Sequence, residues 1–265
     1  MLCSSPRKRL SCRSFRTAPL PRRVRTTKHS TPFLSLTSRG PRAVFWDMDG
    51  TMVDTEPLWG IATYELSERL GRRLSTEKRE ETVGGSFPNT LRVCAEWAGL
   101  SVAQLDYDHH RSWMFGRMSE LFTGQLVPNP GVRELLSSLH ASGMPMLVTT
   151  NTERELADRC IDAVGRALFN GSITGDEVPN PKPAPDMYLK AAETVGADPA
   201  DCLVFEDSWA GMSAAAAAGC VVLGLAAPDA VPHGVQPFDP ARFVGAKAGD
   251  VAEWFEHARL ARESV

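Results

Sequence analysis

Two kinds of hydrophobic pattern alternate along this chain, and their order predicts its architecture. Short, largely apolar runs lie at residues 43–46, 145–150 (ending in two threonines), 202–205 and 221–225, the length of strands buried on both faces of a parallel sheet. Helical spacing fills much of the rest. Leu58, Ile61, Ala62, Leu66 and Leu70 lie close to a helical period, with Thr55 as N-cap, Pro57 in the first turn and Gly71 as the stop. Further helices are predicted at 75–83, 88–99, 101–122 and 132–142, then directly after residue 151, where Thr152-Glu153-Arg154-Glu155 has the form of a capping box. Others follow at 186–195, 211–218 and 250–262, whereas 171–185, rich in Gly and Pro, reads as a loop.

Four helical signals in succession, with no strand between them and Pro128-Asn129-Pro130-Gly131 after them, do not continue a βαβ pattern. Residues 55–127 therefore read as an all-helical cap. The fold class is α/β: a Rossmann-like core with a parallel sheet, formed by residues 41–54 and 128–265, with the cap inserted between them. No stretch approaches the roughly 20 apolar residues that cross a membrane. The six cysteines are scattered without a C-x-x-C pair, which suits reduced thiols and a cytoplasmic setting.

Charge divides the chain. Eleven of the 29 Lys and Arg residues precede Asp47, and none of the 32 acids does. Residues 1–40 are rich in Arg, Ser, Thr and Pro, so they are expected to form a disordered basic tail: an inert or mis-started segment, a targeting peptide or an electrostatic contact. The body that follows is acidic, which argues against nucleic acid as a partner. A monomer acting on a small molecule, with no membrane association, is the expectation.

The polar residues that stand out fall where strands end. Asp47 and Asp49 follow the first run, Thr149, Thr150 and Asn151 close the second, and Glu206 and Asp207 close the third, with Lys182 in the loop between the last two. In an open α/β sheet such positions converge on one crevice. The segments DMDGT at Asp47, VTTN around Thr149, KPAPDMY from Lys182 and FEDSWAG around Glu206 and Asp207, in this order and with a helical insertion after the first, resemble the haloacid dehalogenase superfamily. The resemblance is to its branch of sugar-phosphate phosphatases and β-phosphoglucomutase-like proteins.

That resemblance implies an aspartyl-phosphate chemistry. Asp47 would be the nucleophile, Asp49 the general acid and base, Thr149 a hydrogen-bond donor to the phosphoryl group, and Lys182 the cation that offsets its charge. Mg²⁺ would be held by the Asp47 side chain, the Asp49 backbone carbonyl, the Asp207 side chain and Glu206, directly or through water. Gly50, Thr150, Asn151, Trp59, Gly85 and Phe87 are the candidate substrate contacts. Asp49 disfavours the dehalogenases, which lack this second aspartate, and the phosphonate hydrolases, which carry Ala there. β-Phosphoglucomutase has a His at the position matching Trp59 and a phosphate-binding Arg where Phe87 stands. The run Thr55-Glu56-Pro57-Leu58-Trp59 is similar to hexose- and hexitol-phosphate phosphatases. A Mg²⁺-dependent phosphatase acting on a small phosphomonoester, a sugar or polyol phosphate, is expected, with a phosphosugar mutase and a non-catalytic phosphate-ligand sensor as the rival readings.

Overall fold

The computed structural model describes residues 40–263. The expectation for the basic tail falls, apart from Gly40, outside them. Strand β1 (Ala43–Trp46) is fully buried along its length. Four helices come next: α1 (Glu56–Arg69), α2 (Thr76–Glu80), α3 (Phe87–Trp97) and α4 (Tyr107–Leu121). Strands and helices then alternate: α5 (Val132–Ala141), β2 (Met146–Thr149), α6 (Arg154–Val164), β3 (Gly171–Ile173), α7 (Asp186–Val195), β4 (Cys202–Glu206), α8 (Trp209–Ala217) and β5 (Val221–Gly224). A short β6 (Gln236–Pro237) and α9 (Ala248–Glu263) close the order.

The sheet runs β3-β2-β1-β4-β5-β6, with every pairing parallel. Because side chains alternate between faces of a strand, β1 feeds two cores. Val44 and Trp46 join Leu135 of α5 and Trp254 of α9 on one face, while Ala43 and Phe45 join Tyr188 of α7 and Ala214 of α8 on the other. The first core continues without a break into the helical insertion through Leu66, Leu91, Met114 and Phe122. Trp46 stacks on Phe205 of β4 with ring centroids 4.5 Å apart. Strand order reverses direction at β1, with β2 on one side and β4 on the other, so the C-terminal ends of β1 and β4 flank a switch-point crevice. This is an α/β core with a Rossmann-like parallel sheet and an all-helical cap.

Several local expectations are corrected. Residues 171–173, read as loop, form β3 and pair with residues 147–149 of β2. With only three residues and a Gly at the start, β3 has no apolar run to announce it, and its neighbour supplies the ladder. The fourth helix starts at Tyr107, where the Asp106 side chain accepts from the His109 N–H at 3.0 Å; residues 102–104 make a single 3₁₀ turn. Neither Thr55 nor Thr152 caps a helix through its hydroxyl, since both reach the crevice instead. The cysteines among the described residues are free and buried, and burial pushes the Cys94 thiol up to about 12. No helix among the described residues is long and apolar enough to cross a membrane.

Candidate active site

Asp47 leaves β1 with its N–H bonded to the Phe205 carbonyl at 3.0 Å, so the turn after β1 is strapped to β4. Gly50 then takes a left-handed φ of 84°. A Cβ there would stand 2.1 Å from Oδ2 of Asp207, so only glycine allows the two strand-end loops to meet. The Thr51 hydroxyl donates to Oδ1 of Asp207 at 3.0 Å. The Gly50 N–H, bonded to the Val53 carbonyl at 2.8 Å, is spent inside the turn.

Lys182, 4% exposed, finds an acceptor for each of its three protons. Its Nζ donates to Asp47 Oδ1 at 2.6 Å, to Glu206 Oε1 at 2.6 Å and to the Thr149 carbonyl at 3.0 Å. The remaining Glu206 oxygen accepts from the Ser208 N–H at 2.8 Å and from its hydroxyl at 3.0 Å. Burial by itself would lower the Lys182 ammonium, but the adjoining Asp47 and Glu206 carboxylates outweigh it and hold it above its ordinary value. Asp47 moves up as well: burial and then repulsion from Glu206 exceed the pull of Lys182. Burial and Glu206 raise Asp207 to about 7. Three carboxylates thus crowd around one cation, which donates to two of them.

The same three residues, Asp47, Glu206 and Asp207, each offer an oxygen, and these lie within 4.8 Å of one another. Hard oxygen donors with an excess of negative charge fit a divalent cation, and this cluster could hold one.

Asp49 is held on all sides. Its Oδ1 accepts from the Thr55 hydroxyl at 2.6 Å and from Nε1 of Trp59 at 2.9 Å; Oδ2 accepts from the hydroxyls of Thr152 at 2.7 Å and Thr150 at 3.3 Å. Two donors come from the start of the cap and two from the end of β2. Thr149 does not join them: its side chain is fully buried and its hydroxyl lies 3.4 Å from the Trp46 carbonyl. Strand alternation turns Thr149 inward and Thr150 toward the crevice. Asn151 is a bracket, its Nδ2 donating to the Gly84 carbonyl at 2.9 Å and the Lys182 carbonyl at 3.1 Å, and its Oδ1 accepting from the Lys182 N–H at 2.8 Å. Trp59, Gly85 and Phe87 line the crevice together with Asp47, Asp49 and Asp207. Phe87 also packs edge-on against Phe115 at 6.1 Å.

Sequence reasoning missed four residues here. Thr55 and Thr152 sit at helix starts, where capping explains a threonine without reference to a site. Glu56 and Arg79 line the crevice, but a charged pair split between two helices has no spacing to betray it.

A family model for haloacid dehalogenase-like hydrolases matches residues 41–219. The chain belongs to that family. The matched span runs from β1 to the end of α8, and so contains every crevice residue named above. Among relatives of this hydrolase, a probable pseudouridine-5'-phosphatase of Drosophila melanogaster is 35% identical over 67% of this chain and 78% of its own length. A phosphorylated carbohydrates phosphatase of Thermotoga maritima is 30% identical over 67% of this chain and 81% of its own. Among solved structures, a β-phosphoglucomutase of Clostridium difficile superposes with a TM-score of 0.69 at 17% identity, covering 82% of this chain and 98% of that one, a likeness of fold.

Proposed function

We propose that this hydrolase is a Mg²⁺-dependent phosphatase that releases inorganic phosphate from a small phosphomonoester, a sugar or polyol phosphate, through an aspartyl-phosphate on Asp47. The observation that carries the reading is the pairing of Asp47 with Lys182 at 2.6 Å beside a second carboxylate, Asp49, that four donors hold in place. The names of the relatives, two of them phosphatases, agree with it.

In the first step a carboxylate oxygen of Asp47 bonds to phosphorus as the bond to the alcohol oxygen breaks, and Asp49 gives that oxygen its proton. In the second, water attacks phosphorus, Asp49 takes the water's proton, and the Asp47–phosphorus bond breaks to free phosphate. The Lys182 ammonium and the Thr150 hydroxyl offset the charge on the phosphoryl oxygens. Mg²⁺ would be held by the side chains of Asp47 and Asp207 and the Asp49 carbonyl, with Glu206 acting through water while it holds Lys182. Bound there, it supplies positive charge that lets the phosphoryl group approach the carboxylates. Residues 55–127 form the cap that excludes bulk water and selects substrate.

Phosphate release from a panel of sugar, polyol, nucleotide and glycolytic monoesters, with Mg²⁺ and with chelator, tests the reading. Chelator-sensitive release concentrated on sugar or polyol phosphates is the expected result. Isomerisation of a sugar monophosphate without net release would replace it with a mutase.

Closure of the cap rests on Gly84. It has φ 65°, and a Cβ there would stand 2.3 Å from Cβ of Ser208. Gly84→Val is expected to force the cap loop away from the core and to lower kcat/KM by roughly tenfold or more through misplacement of the substrate. Steady-state kinetics beside a thermal melt checks it: full activity in the variant means that this contact does not govern closure.

A further inference from the structure

One charged pair in the crevice has no part in the steps above. Glu56, the first residue of α1, meets Arg79 of α2, with Oε1 2.5 Å from Nη2. Arg79 is 6% exposed, and its Nη1 donates to the Thr82 hydroxyl at 2.8 Å. Its Nε has no hydrogen-bond partner. A shielded guanidinium N–H without an acceptor is costly, and few folded proteins retain one without a reason. Glu56, with its side chain 32% exposed, is the more open member of the pair. Both residues line the crevice that also contains Asp47 and Asp49.

We infer that Glu56 and Arg79 form the subsite that recognises the non-reacting end of the substrate, and that this end is neutral and polyhydroxylated. The inference rests on the phosphatase reading and deepens it. A hydroxyl can donate to the Glu56 carboxylate and accept from Arg79, and neighbouring hydroxyls on adjacent carbons can satisfy both at once. The aromatic faces of Trp59, Phe87 and Phe115 in the same wall suit the C–H surface of such a chain. A second anionic group does not fit. Apart from Lys182, whose three protons go to Asp47, Glu206 and the Thr149 carbonyl, Arg79 is the only Lys or Arg among the described residues lining the crevice; it is already neutralised by Glu56, and Asp47, Asp49 and Asp207 would repel an anion. The pair therefore selects a monophosphate over a bisphosphate.

The test compares kcat/KM for a hexitol phosphate with that for hexyl phosphate, which keeps the chain and lacks the hydroxyls. Wild type, Glu56→Gln and Arg79→Lys are measured, with thermal melts to establish folding. Wild type is expected to prefer the hexitol ester. In each variant that preference falls about 10- to 100-fold, mostly through KM, as expected for loss of charge-assisted hydrogen bonds. A hexitol bisphosphate is expected to be the poorer substrate. If both variants lose activity on the two esters in equal proportion, the pair is structural and the inference is overturned. It is equally overturned if wild type hydrolyses both esters alike or prefers the bisphosphate, results that leave the phosphatase reading standing. Release of phosphate from neither ester by folded wild type overturns the phosphatase reading and this subsite with it.

Discussion

Asp47→Asn is expected to lower turnover of the best phosphomonoester by about 10⁴-fold or more with Mg²⁺ present, the scale of losing a nucleophile. An amide oxygen can still accept from Lys182 where Oδ1 of Asp47 now sits, so the variant retains the arrangement of the 2.6 Å contact but not the attacking carboxylate. It also removes one of three crowded negative charges, so its metal-free melting temperature should match or exceed that of wild type above neutral pH. Phosphate release and a thermal melt decide the matter together. Appreciable turnover in a folded variant would sink the covalent mechanism. Capture of phosphate on the wild-type peptide that carries Asp47, by mass spectrometry after an acid quench, is the complementary result.

Replacing Lys182 by Met is the second large effect. Lys182 Nζ bonds to Asp47, Glu206 and the Thr149 carbonyl, and removal leaves two buried carboxylates facing each other without a cation. Breaking a buried pair in this way costs about 3–5 kcal/mol, and the loss of a charge aimed at the phosphoryl group costs roughly 10²- to 10³-fold in kcat. The destabilisation should depend on pH. Burial and Glu206 hold Asp47 above its ordinary value and Asp207 at about 7, against 3.8 for the free side chain. The folded chain therefore binds protons that the unfolded chain gives up; the stability from Asp207 is full below 3.8 and is lost as pH rises through about 7, and Asp47 acts in the same direction. Metal-free wild type should melt lower at pH 8 than at pH 5 on their account, and Mg²⁺ should stabilise it more at pH 8. In Lys182→Met the Asp47 carboxyl loses the cation that opposes its upward shift, so keeping it ionised costs more as pH rises and the deficit should widen with pH. A deficit that is equal at both, or absent, would mean that Lys182 does not neutralise this cluster.

The sequence by itself determined the α/β order, the long run of helices after β1 and the convergence of Asp47, Lys182, Glu206 and Asp207. Four-residue apolar runs such as 43–46, rich in β-branched and aromatic residues and set between helical patterns, fit strands buried on both faces, and the residues that follow such strands meet at one edge of a parallel sheet. The tertiary structure decided what each hydroxyl does. Thr55 and Thr152 satisfy every local rule for capping a helix, yet both donate to Asp49, because the fold presents a half-buried carboxylate with lone pairs to fill. One residue of strand register separates Thr149, whose hydroxyl faces the Trp46 carbonyl, from Thr150, whose hydroxyl reaches Asp49. A run such as Thr149-Thr150 supplies the same residue type to both faces and cannot say which is which. β3 and the Glu56–Arg79 pair were hidden for a related reason. Their stability comes from partners distant in sequence, residues 147–149 for the strand and a different helix for each member of the pair. No local pattern encodes a contact whose energy arises only after the chain has folded.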